Sequence, residues 1–179
     1  MNSKTNKPKP IYFSDYFKVD KAKLTELGVF DPILNHDTKL FVDPILLKSS
    51  TSEIFQNARD RYVNFFNGLL KLLKSSQQVN DRFWRAAKIR SKFSEYKYTC
   101  IGYGDDSIDG SGPGSSFSNK LLESAKEIIE AAKDDSEMFL LLPLLEDGMG
   151  ADGISDMTQS IIDDDICIYT QTILNELDL

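Results

Sequence analysis

Histidine and cysteine are scarce in this chain of 179 residues, which contains one histidine, His36, and two cysteines, Cys100 and Cys167. Two cysteines cannot build a disulfide framework or a four-ligand zinc site. A catalytic triad or a histidine-rich metal site would have to use His36, and no Gly-X-Ser-X-Gly nucleophile motif is present. His36 lies in a turn-like segment and is expected at the surface. Both cysteines have apolar neighbours and are expected to be buried, inert thiols.

Long hydrophobic runs are also absent. The longest apolar run, residues 138–145, contains Pro143 and is far shorter than the roughly 18 residues that suggest a membrane span. The N-terminus is polar and lysine-rich, with no hydrophobic run behind it, so no secretory signal is indicated. An apolar fraction of 41% and a charged fraction of 27% are ordinary for a globular domain. The sequence therefore predicts a cytoplasmic protein with no membrane segment.

Charge is distributed unevenly. Residues 1–100 carry 18 Lys and Arg against 10 Asp and Glu, a net charge of +8, whereas residues 101–179 carry 3 against 18, a net charge of −15. One interpretation is that the basic part folds onto the acidic part. The other is two functional faces, one basic toward a polyanion and one acidic toward a metal or a basic partner.

Hydrophobic periodicity predicts a mainly α fold (α+β), with about five helices and a small sheet of short strands. Residues 1–10 are predicted to be a flexible tail. Residues 11–179 are predicted to form a single globular domain, which could be the N-terminal part of a longer protein. Helices are predicted over residues 21–27, 50–74, 81–93, 118–133, from 135 or 136 to about 145, and 155–177. Strands are predicted over 39–43 and 96–103.

Capping residues support these boundaries. Asp20 can cap the first helix and Gly28 can end it. Ser50 and Glu53 form a capping-box pattern for the long helix, and Asn80 precedes the next helix as a cap. Within the long helix, Gly68 either weakens it by roughly 1 kcal/mol or lets a neighbour approach closely. The last helix has a predicted buried face made of Ile162, Ile166, Tyr169, Ile173 and Leu177.

Half of the ten glycines lie within residues 102–114, before a predicted helix. Glycine backbone and a helix N-terminus both present free amides, so this loop could cradle an anion. The candidate ligand-binding residues are Gly104, Gly110, Gly112, Gly114 and Ser115. The loop is neither a Walker A motif nor a dinucleotide fingerprint. Three aspartates within it would repel a phosphate unless a divalent cation intervened. The other interpretation is a tight structural loop.

Four carboxylates, Glu146, Asp147, Asp152 and Asp156, surround a second glycine loop. Carboxylate oxygens suit Mg²⁺ or Mn²⁺, although the spacing is not that of an EF-hand. Asp147, Asp152 and Asp156 are the candidate metal ligands, and Glu146, Asp152 and Asp156 are the candidate catalytic residues. The other interpretation is that these acids cap a helix and interact with its dipole. The aspartates at 163–165 are expected to form a solvated face or a docking edge for the basic half.

The densest basic segment, residues 82–97, suggests a nucleic-acid contact. Arg82, Arg85, Lys88 and Lys92 lie on one side of a predicted helix, with aromatic residues between them. The other interpretation is a solvated face, or a match to the acidic half. Because the whole chain is acidic, any such binding should be weak, local and salt-dependent.

Three groups of strings are distinctive as a set. They are FSDYF at 13–17 with DTKLFVDP at 37–44, GYG at 102–104 with GSGPG at 110–114, and FLLLPLLEDGMGADGISDMT at 139–158. With them the chain resembles, over nearly everything after residue 11, the N-terminal region of a family of larger, largely uncharacterised bacterial proteins. Such proteins are met near mobile elements and phage-defence genes. The family's last motif usually reads Gly-Ile-Gly-X-Asp-Arg-Ile-Ser-Asp, and Gly153 here stands where arginine is expected.

The resemblance implies a component of a bacterial defence system. We expect a domain that recognises or regulates a protein partner rather than a free-standing enzyme. The alternative is a Mg²⁺-dependent nuclease-like enzyme using Glu146, Asp152 and Asp156, or a nucleic-acid-binding module. If the missing arginine takes part in chemistry, this chain lacks that activity.

Overall fold

The structure, a computed structural model, describes residues 9–94, 97–103, 114–131, 138–139 and 150–179. This part is mainly helical, as predicted. Its α-helices are α1 (Phe13–Phe17), α2 (Lys21–Glu26), α3 (Ala58–Ser75), α4 (Arg82–Arg90), α5 (Ser115–Glu130), α6 (Ala151–Ile161) and α7 (Asp163–Glu176), and its 3-10 turns are Pro44–Ser49, Glu53–Phe55 and Lys97–Thr99. The predicted tail at 1–10, apart from residues 9 and 10, and nearly all of the helix predicted to end at 145 lie outside these ranges.

A small sheet is not observed in the described residues, where extended backbone forms two single bridges. Tyr12 and Ile33 pair antiparallel, and Thr38 and Ile101 pair parallel. The strand predicted at 39–43 is wrong, because the amide of Val42 donates to a side chain, Ser155 Oγ, at 2.9 Å. The strand predicted at 96–103 is wrong over its described part. There the backbone forms the 3-10 turn Lys97–Thr99 and then takes a positive φ of 52° at Cys100.

The start of the first predicted helix is confirmed. Asp20 Oδ1 accepts a hydrogen bond from the amide of Ala22 at 2.9 Å, and Gly28 follows α2 with φ of 68°. Glycine adopts that left-handed backbone without the steric cost that other residues incur. The two ends of α2 are therefore encoded locally.

Two other predicted helix starts are wrong. The capping box at Ser50 does not open α3, which begins at Ala58 after a separate 3-10 turn that brings Phe55 against the ring of Tyr169, 5.4 Å away. The helix α4 is capped by Asp81, whose Oδ1 accepts from the amide of Trp84 at 2.7 Å. That bond and others hold the pKa of Asp81 at about 2. The predicted helix at 118–133 is present as α5, three residues earlier.

The main core surrounds α3. Its largest side chains come from α3, α5 and α6 with Phe139, and they are Tyr62, Phe66, Leu69, Leu121, Leu122, Phe139 and Met157. The rings of Phe66 and Phe139 stack with centroids 4.2 Å apart. Complete burial of such a side chain contributes about 1.5–3 kcal/mol.

Gly68 lets a neighbour approach α3, as one of its two interpretations predicts. A Cβ at Gly68 would lie 3.0 Å from Nη2 of Arg90. Arg90 reaches this position from the end of α4, and its Nε donates to the carbonyl of Phe65 at 3.2 Å. The glycine is therefore explained by packing.

The last predicted helix is two helices, because the chain breaks at Ile162, where φ is −107° and ψ is 22°. Asp165, predicted to be solvated or docked, is buried, and its Oδ2 lies 3.1 Å from Nε of Arg61 in an ion pair. Arg61 also lies 3.6 Å from Asp164, and Lys23 lies 3.8 Å from Asp178. The basic half therefore does contact the acidic half, through these pairs.

Residues 11–34 form a unit of their own beside this core. The bridge between Tyr12 and Ile33 closes it, and the Oγ of Ser14 donates to Asp31 Oδ2 at 2.6 Å. Among the described residues, the main core includes no side chain that precedes Val42. The unit is thus closed on itself and adds no side chain to that core.

The two cysteines differ from the prediction that both are buried. Cys100 is buried, whereas Cys167 is exposed on α7. No helix in the described part of the chain is long and apolar enough to cross a membrane.

Candidate functional site

Two of the distinctive sequence strings pair through their backbones. The amide of Thr38 donates to the carbonyl of Cys100 at 2.8 Å, and the amide of Gly102 donates to the carbonyl of Thr38 at 3.0 Å. The third string joins them, because Ser155 on α6 accepts the amide of Val42. Segments separated by up to 113 positions therefore meet at one place.

Carboxylate oxygens of Asp37 and Asp152 both lie beside Gly102. A Cβ at Gly102 would be 3.0 Å from Oδ2 of Asp37 and 3.1 Å from Oδ1 of Asp152. The two oxygens lie close to one point and so are no more than about 6 Å apart. Gly102 also has φ of 144°, a backbone that residues with side chains rarely adopt. Both observations require glycine here.

The environment of Asp152 disfavours its charge. Burial raises the pKa of its carboxyl, and the negative charge of Asp37 raises it further, although a hydrogen bond from the amide of Tyr103 acts in the opposite direction. Burial, with a contribution from Asp37, likewise raises the pKa of the Cys100 thiol. This end of α6 is therefore a weakly solvated, negatively charged site.

The structure describes two of the four residues of the predicted acidic site. Asp152 lies in the first turn of α6 and Asp156 one turn later, both half-buried, while Glu146 and Asp147 lie outside the described residues. In the described part of the chain, no group of three or more His, Cys, Asp or Glu side chains is placed to hold a metal ion. Asp37 was missed as a site residue. Its presence in the string at 37–44 was the available signal.

The predicted anion cradle lies largely outside the described residues, which exclude Gly104, Gly110 and Gly112. Gly114 is the N-cap of α5, without a side-chain bond, and Ser115 is the first residue of that helix. His36, predicted to be at the surface, is half-buried. Its Nδ1 is buried and has no hydrogen-bond partner among the described residues.

Gly153 stands where the motif of the similar family has an arginine, and it faces an aromatic ring. A Cβ at this position would lie 2.8 Å from Cε2 of Phe117 on α5. The ring therefore occupies the space that a side chain would need. Contact between α5 and α6 explains why this position has no side chain.

The four predicted nucleic-acid-binding residues are not all on one helix. Arg82, Arg85 and Lys88 belong to α4, but α4 ends at Arg90 and Lys92 follows it. The guanidinium of Arg82 lies 4.5 Å from the ring centroid of Phe83. Arg85, Lys88 and Lys92 have no ion-pair partner among the described residues. The aromatic neighbours Trp84 and Phe93 pack against the core.

A cavity of about 520 Å³ separates the unit at residues 11–34 from α7. The described residues of its wall are almost entirely apolar and include no charged side chain. The lining residues used below are Phe17, Phe30, Ile166, Tyr169, Ile173 and Gln159. Phe17 and Phe30 are 42% and 47% exposed, so the cavity reaches the surface. Sequence reasoning missed this feature.

The predicted buried face of the last helix is the signal that could have revealed the cavity. Ile162 and Leu177 are buried, as predicted, whereas Ile166, Tyr169 and Ile173 are only half-buried. These three side chains line the cavity, although Ile166 also packs against the main core and Tyr169 against Phe55. A regular apolar stripe predicts that a surface is apolar but not what covers it.

A polar side chain also reaches this apolar wall. Gln159 on α6 is only 2% exposed, and its Nε2 donates to Ser155 Oγ at 3.1 Å. Its Oε1 is buried and has no hydrogen-bond partner among the described residues. Ser155 therefore links the site at Gly102 to the cavity, since it also accepts the amide of Val42.

Comparison with known proteins identifies the family. The chain belongs to the DUF8370 family. The matching family model is a domain of unknown function, and it covers residues 18–179. No curated protein and no solved structure matched the chain.

The DUF8370 match includes both features described above. Asp37, Gly102 and Asp152 lie within it, as do all the cavity residues on α6 and α7. The lining residues Phe13 and Phe17 precede its first matched residue. The domain match therefore spans nearly the whole cavity.

Proposed function

We propose that this domain is a recognition or regulatory component of a bacterial defence system, and that the cavity beside α7 is its recognition site. The observation that carries the proposal is an apolar cavity of about 520 Å³ between the unit at residues 11–34 and α7. Ligand pockets are typically concave, mostly apolar and fitted with a few polar groups, with volumes of about 300–1,000 Å³. The resemblance of the strings at 37–44, 102–114 and 139–158 supports the defence context and a protein partner.

The experiment compares two tryptophan variants in the native bacterium challenged with phage. Thr170 lines the cavity and Thr172 does not, yet both are exposed on α7. Each hydroxyl donates to the carbonyl four residues earlier, at 2.9 and 2.8 Å. Thr170→Trp should fill the cavity and abolish protection, whereas Thr172→Trp should retain it. Equal protection by both variants would contradict the proposal.

A second candidate function, a Mg²⁺-dependent nuclease-like activity, is favoured by one observation. Asp37 and Asp152 present two carboxylate oxygens around Gly102, and Mg²⁺ is often held by one or two carboxylates with water and substrate phosphates. Millimolar MgCl₂ should then raise the melting temperature of the wild type but not of Asp37→Asn or Asp152→Asn. An unchanged wild-type melting temperature would remove this candidate.

Nucleic-acid binding is the third candidate, supported by Arg85 and Lys88 of α4, which have no ion-pair partner among the described residues. Arg85→Glu with Lys88→Glu should abolish binding to a fluorescent oligonucleotide and leave the circular dichroism spectrum unchanged. Because phosphate contacts release counterions, wild-type affinity should fall steeply as salt rises. Affinity that survives the double reversal would exclude this surface.

A further inference from the structure

The cavity follows α7 for about two helical turns. The lining residues of this helix run from Ile166 through Thr170 to Leu174, at the three- and four-residue spacing of one helical face. At a rise of 1.5 Å per residue they extend over about 12 Å. Phe17 and Phe30 of the opposite wall are partly exposed. An occupant that enters from the surface therefore meets apolar side chains along about 12 Å of α7.

Acidic residues flank this apolar face of α7. From Asp163 onward the sequence contains five Asp and Glu and no Lys or Arg. Asp163 lies three residues before Ile166, and Glu176 lies three residues after Ile173, so both carboxylates are on the side of α7 next to the cavity. A contact agrees with this placement, since the hydroxyl of Tyr98, a lining residue, donates to Oδ1 of Asp163.

The two flanking carboxylates have no cation beside them in the described part of the chain. Arg61 and Lys23 reach this segment but contact other acids there. Neither Asp163 nor Glu176 has an ion-pair partner among the described residues. The opposite wall does not compensate, because residues 11–34 contain three Lys against four Asp and Glu. The rim of the cavity is therefore acidic, and it favours cationic groups over anionic ones.

We propose that the cavity binds a segment of a protein partner that inserts apolar side chains beside α7 and places Lys or Arg next to Asp163 and Glu176. The inference rests on the proposed function, since it names the chemistry of the partner recognised at that site. An amphipathic helix meets both requirements. Its apolar anchors at i, i+3, i+4 and i+7 cover about 10 Å, and basic residues thirteen positions apart match the spacing of the two acids. The apolar contacts supply the buried area, and the charges select against an acidic segment.

The test uses two peptides of 14 residues that differ only in the charge of their ends. KAQLAQLLAQLQAK places four leucines on one helical face with a lysine at each end, and EAQLAQLLAQLQAE has glutamate at both ends. Both are acetylated and amidated, and binding to the full chain is measured by isothermal titration calorimetry. The wild type should bind the lysine-ended peptide about tenfold more tightly at low salt, because two attractive pairs replace two repulsive ones. This preference should shrink as NaCl rises.

Charge variants show whether the flanking acids cause the preference. Asp163→Asn combined with Glu176→Gln should bind the two peptides with equal affinity. Glu123→Gln combined with Glu127→Gln is the matched control, since it removes the same charge from exposed positions on α5, which does not line the cavity. The control should retain the tenfold preference, and its loss there would contradict a role for the rim of the cavity.

The remaining outcomes separate this inference from the proposed function. Equal affinity of the wild type for the two peptides, binding of neither, or binding that survives Thr170→Trp overturns the inference. A wild-type dimer in sedimentation that Thr170→Trp dissociates overturns it in favour of a second copy of this chain. If no peptide binds but Thr170→Trp loses phage protection while Thr172→Trp keeps it, the proposed function stands with a partner of other chemistry. If the peptides bind as expected but Thr170→Trp still protects, the inference stands and the proposed function fails.

Discussion

Gly102 shows how one residue determines a site that no local pattern reveals. The space on its Cβ side is filled by oxygens of Asp37 and Asp152, and its positive φ excludes other residues. The result is two carboxylates in a weakly solvated place, with the charge of Asp37 acting on Asp152. The arrangement costs stability, because ionisation of the second carboxyl is disfavoured.

We predict that Asp152→Asn raises the melting temperature at pH 7. The pKa of Asp152 is higher in the folded than in the unfolded protein, so folding is penalised above that raised pKa. The penalty disappears as pH falls through the raised pKa and below the unfolded value of about 3.9. Thermal unfolding of both proteins from pH 7 to about pH 3.5 should therefore show a difference that shrinks toward acid.

Asp60→Asn is the matched control for this variant. Asp60 is exposed and lies in the first turn of α3, as Asp152 lies in the first turn of α6. Loss of its favourable interaction with the helix dipole should slightly lower the melting temperature. If Asp152→Asn behaved like this control, the unfavourable environment of Asp152 would be disproved.

Among single residues, sequence reasoning succeeded where the interaction is local. Asp20 caps its own helix and Gly28 ends it, so a few neighbouring residues contain the whole cause. Asp152 was singled out as a candidate site residue from its position beside a glycine loop. Its partner Asp37 lies 115 positions earlier, and nothing in the local chemistry of either residue indicates that they meet.

The observed helix boundaries differ from the predicted ones where tertiary contacts compete with local sequence signals. The long helix that contains α3 was predicted, but its capping-box pattern was overridden by a 3-10 turn that packs Phe55 against Tyr169. The last helix was predicted to be continuous, yet it breaks at buried Ile162, and Asp165 then reaches Arg61. Periodicity detects a helical face but not a single residue that leaves the helix.

The contact between α5 and α6 gives a second prediction. Gly153→Ala places a methyl group 2.8 Å from the ring of Phe117. Overpacking of this kind typically costs about 1–3 kcal/mol, which exceeds or offsets the gain of about 1 kcal/mol in helix propensity. Chemical denaturation should show a less stable protein, and Gly153→Arg should be destabilised further.

Phe117→Leu supplies the control for Gly153→Ala. In the Phe117→Leu background the ring is absent, so the added methyl group should cost less or should stabilise through helix propensity. Equal effects of Gly153→Ala in both backgrounds would show that the Phe117 contact does not determine this position.

At the scale of the whole molecule, some of the opposite charges on the two halves of the chain form ion pairs within the fold. Arg61 contacts Asp164 and buried Asp165, while Lys23 contacts Asp178 at the surface. Exposed pairs contribute little and are screened by salt. Net charge predicted contact between the halves, but it could not identify the pair of Arg61 with buried Asp165, which is the one pair with a buried member among the described residues.

We predict that Arg61→Met destabilises the fold by about 1–3 kcal/mol, because it leaves the buried carboxylate of Asp165 without its cation. Burial already raises the pKa of Asp165, and Arg61 opposes that shift. Without Arg61 the pKa rises further, so the variant should lose more stability than the wild type as pH increases. Denaturation at several pH values measures this. Lys23→Met, which breaks an exposed pair, should have little effect.

The cavity belongs to the whole molecule and is the feature that sequence reasoning could least foresee. It exists because the unit at residues 11–34 is closed by its own hydrogen bonds and adds no side chain to the main core. Neither the sequence of residues 11–34 nor the sequence of α7 shows that the apolar side chains of α7 face the other segment across a cavity.

Methyl NMR of isoleucine-labelled protein tests the central claim most directly, because it locates a bound molecule. Ile101, Ile166 and Ile173 line the cavity, whereas Ile89 and Ile168 are exposed and do not. Saturation with the lysine-ended peptide should shift the lining methyl resonances, because its leucine side chains pack beside them, and leave those of Ile89 and Ile168 in place. Shifts confined to the exposed isoleucines, or no shifts at saturation, would contradict the account.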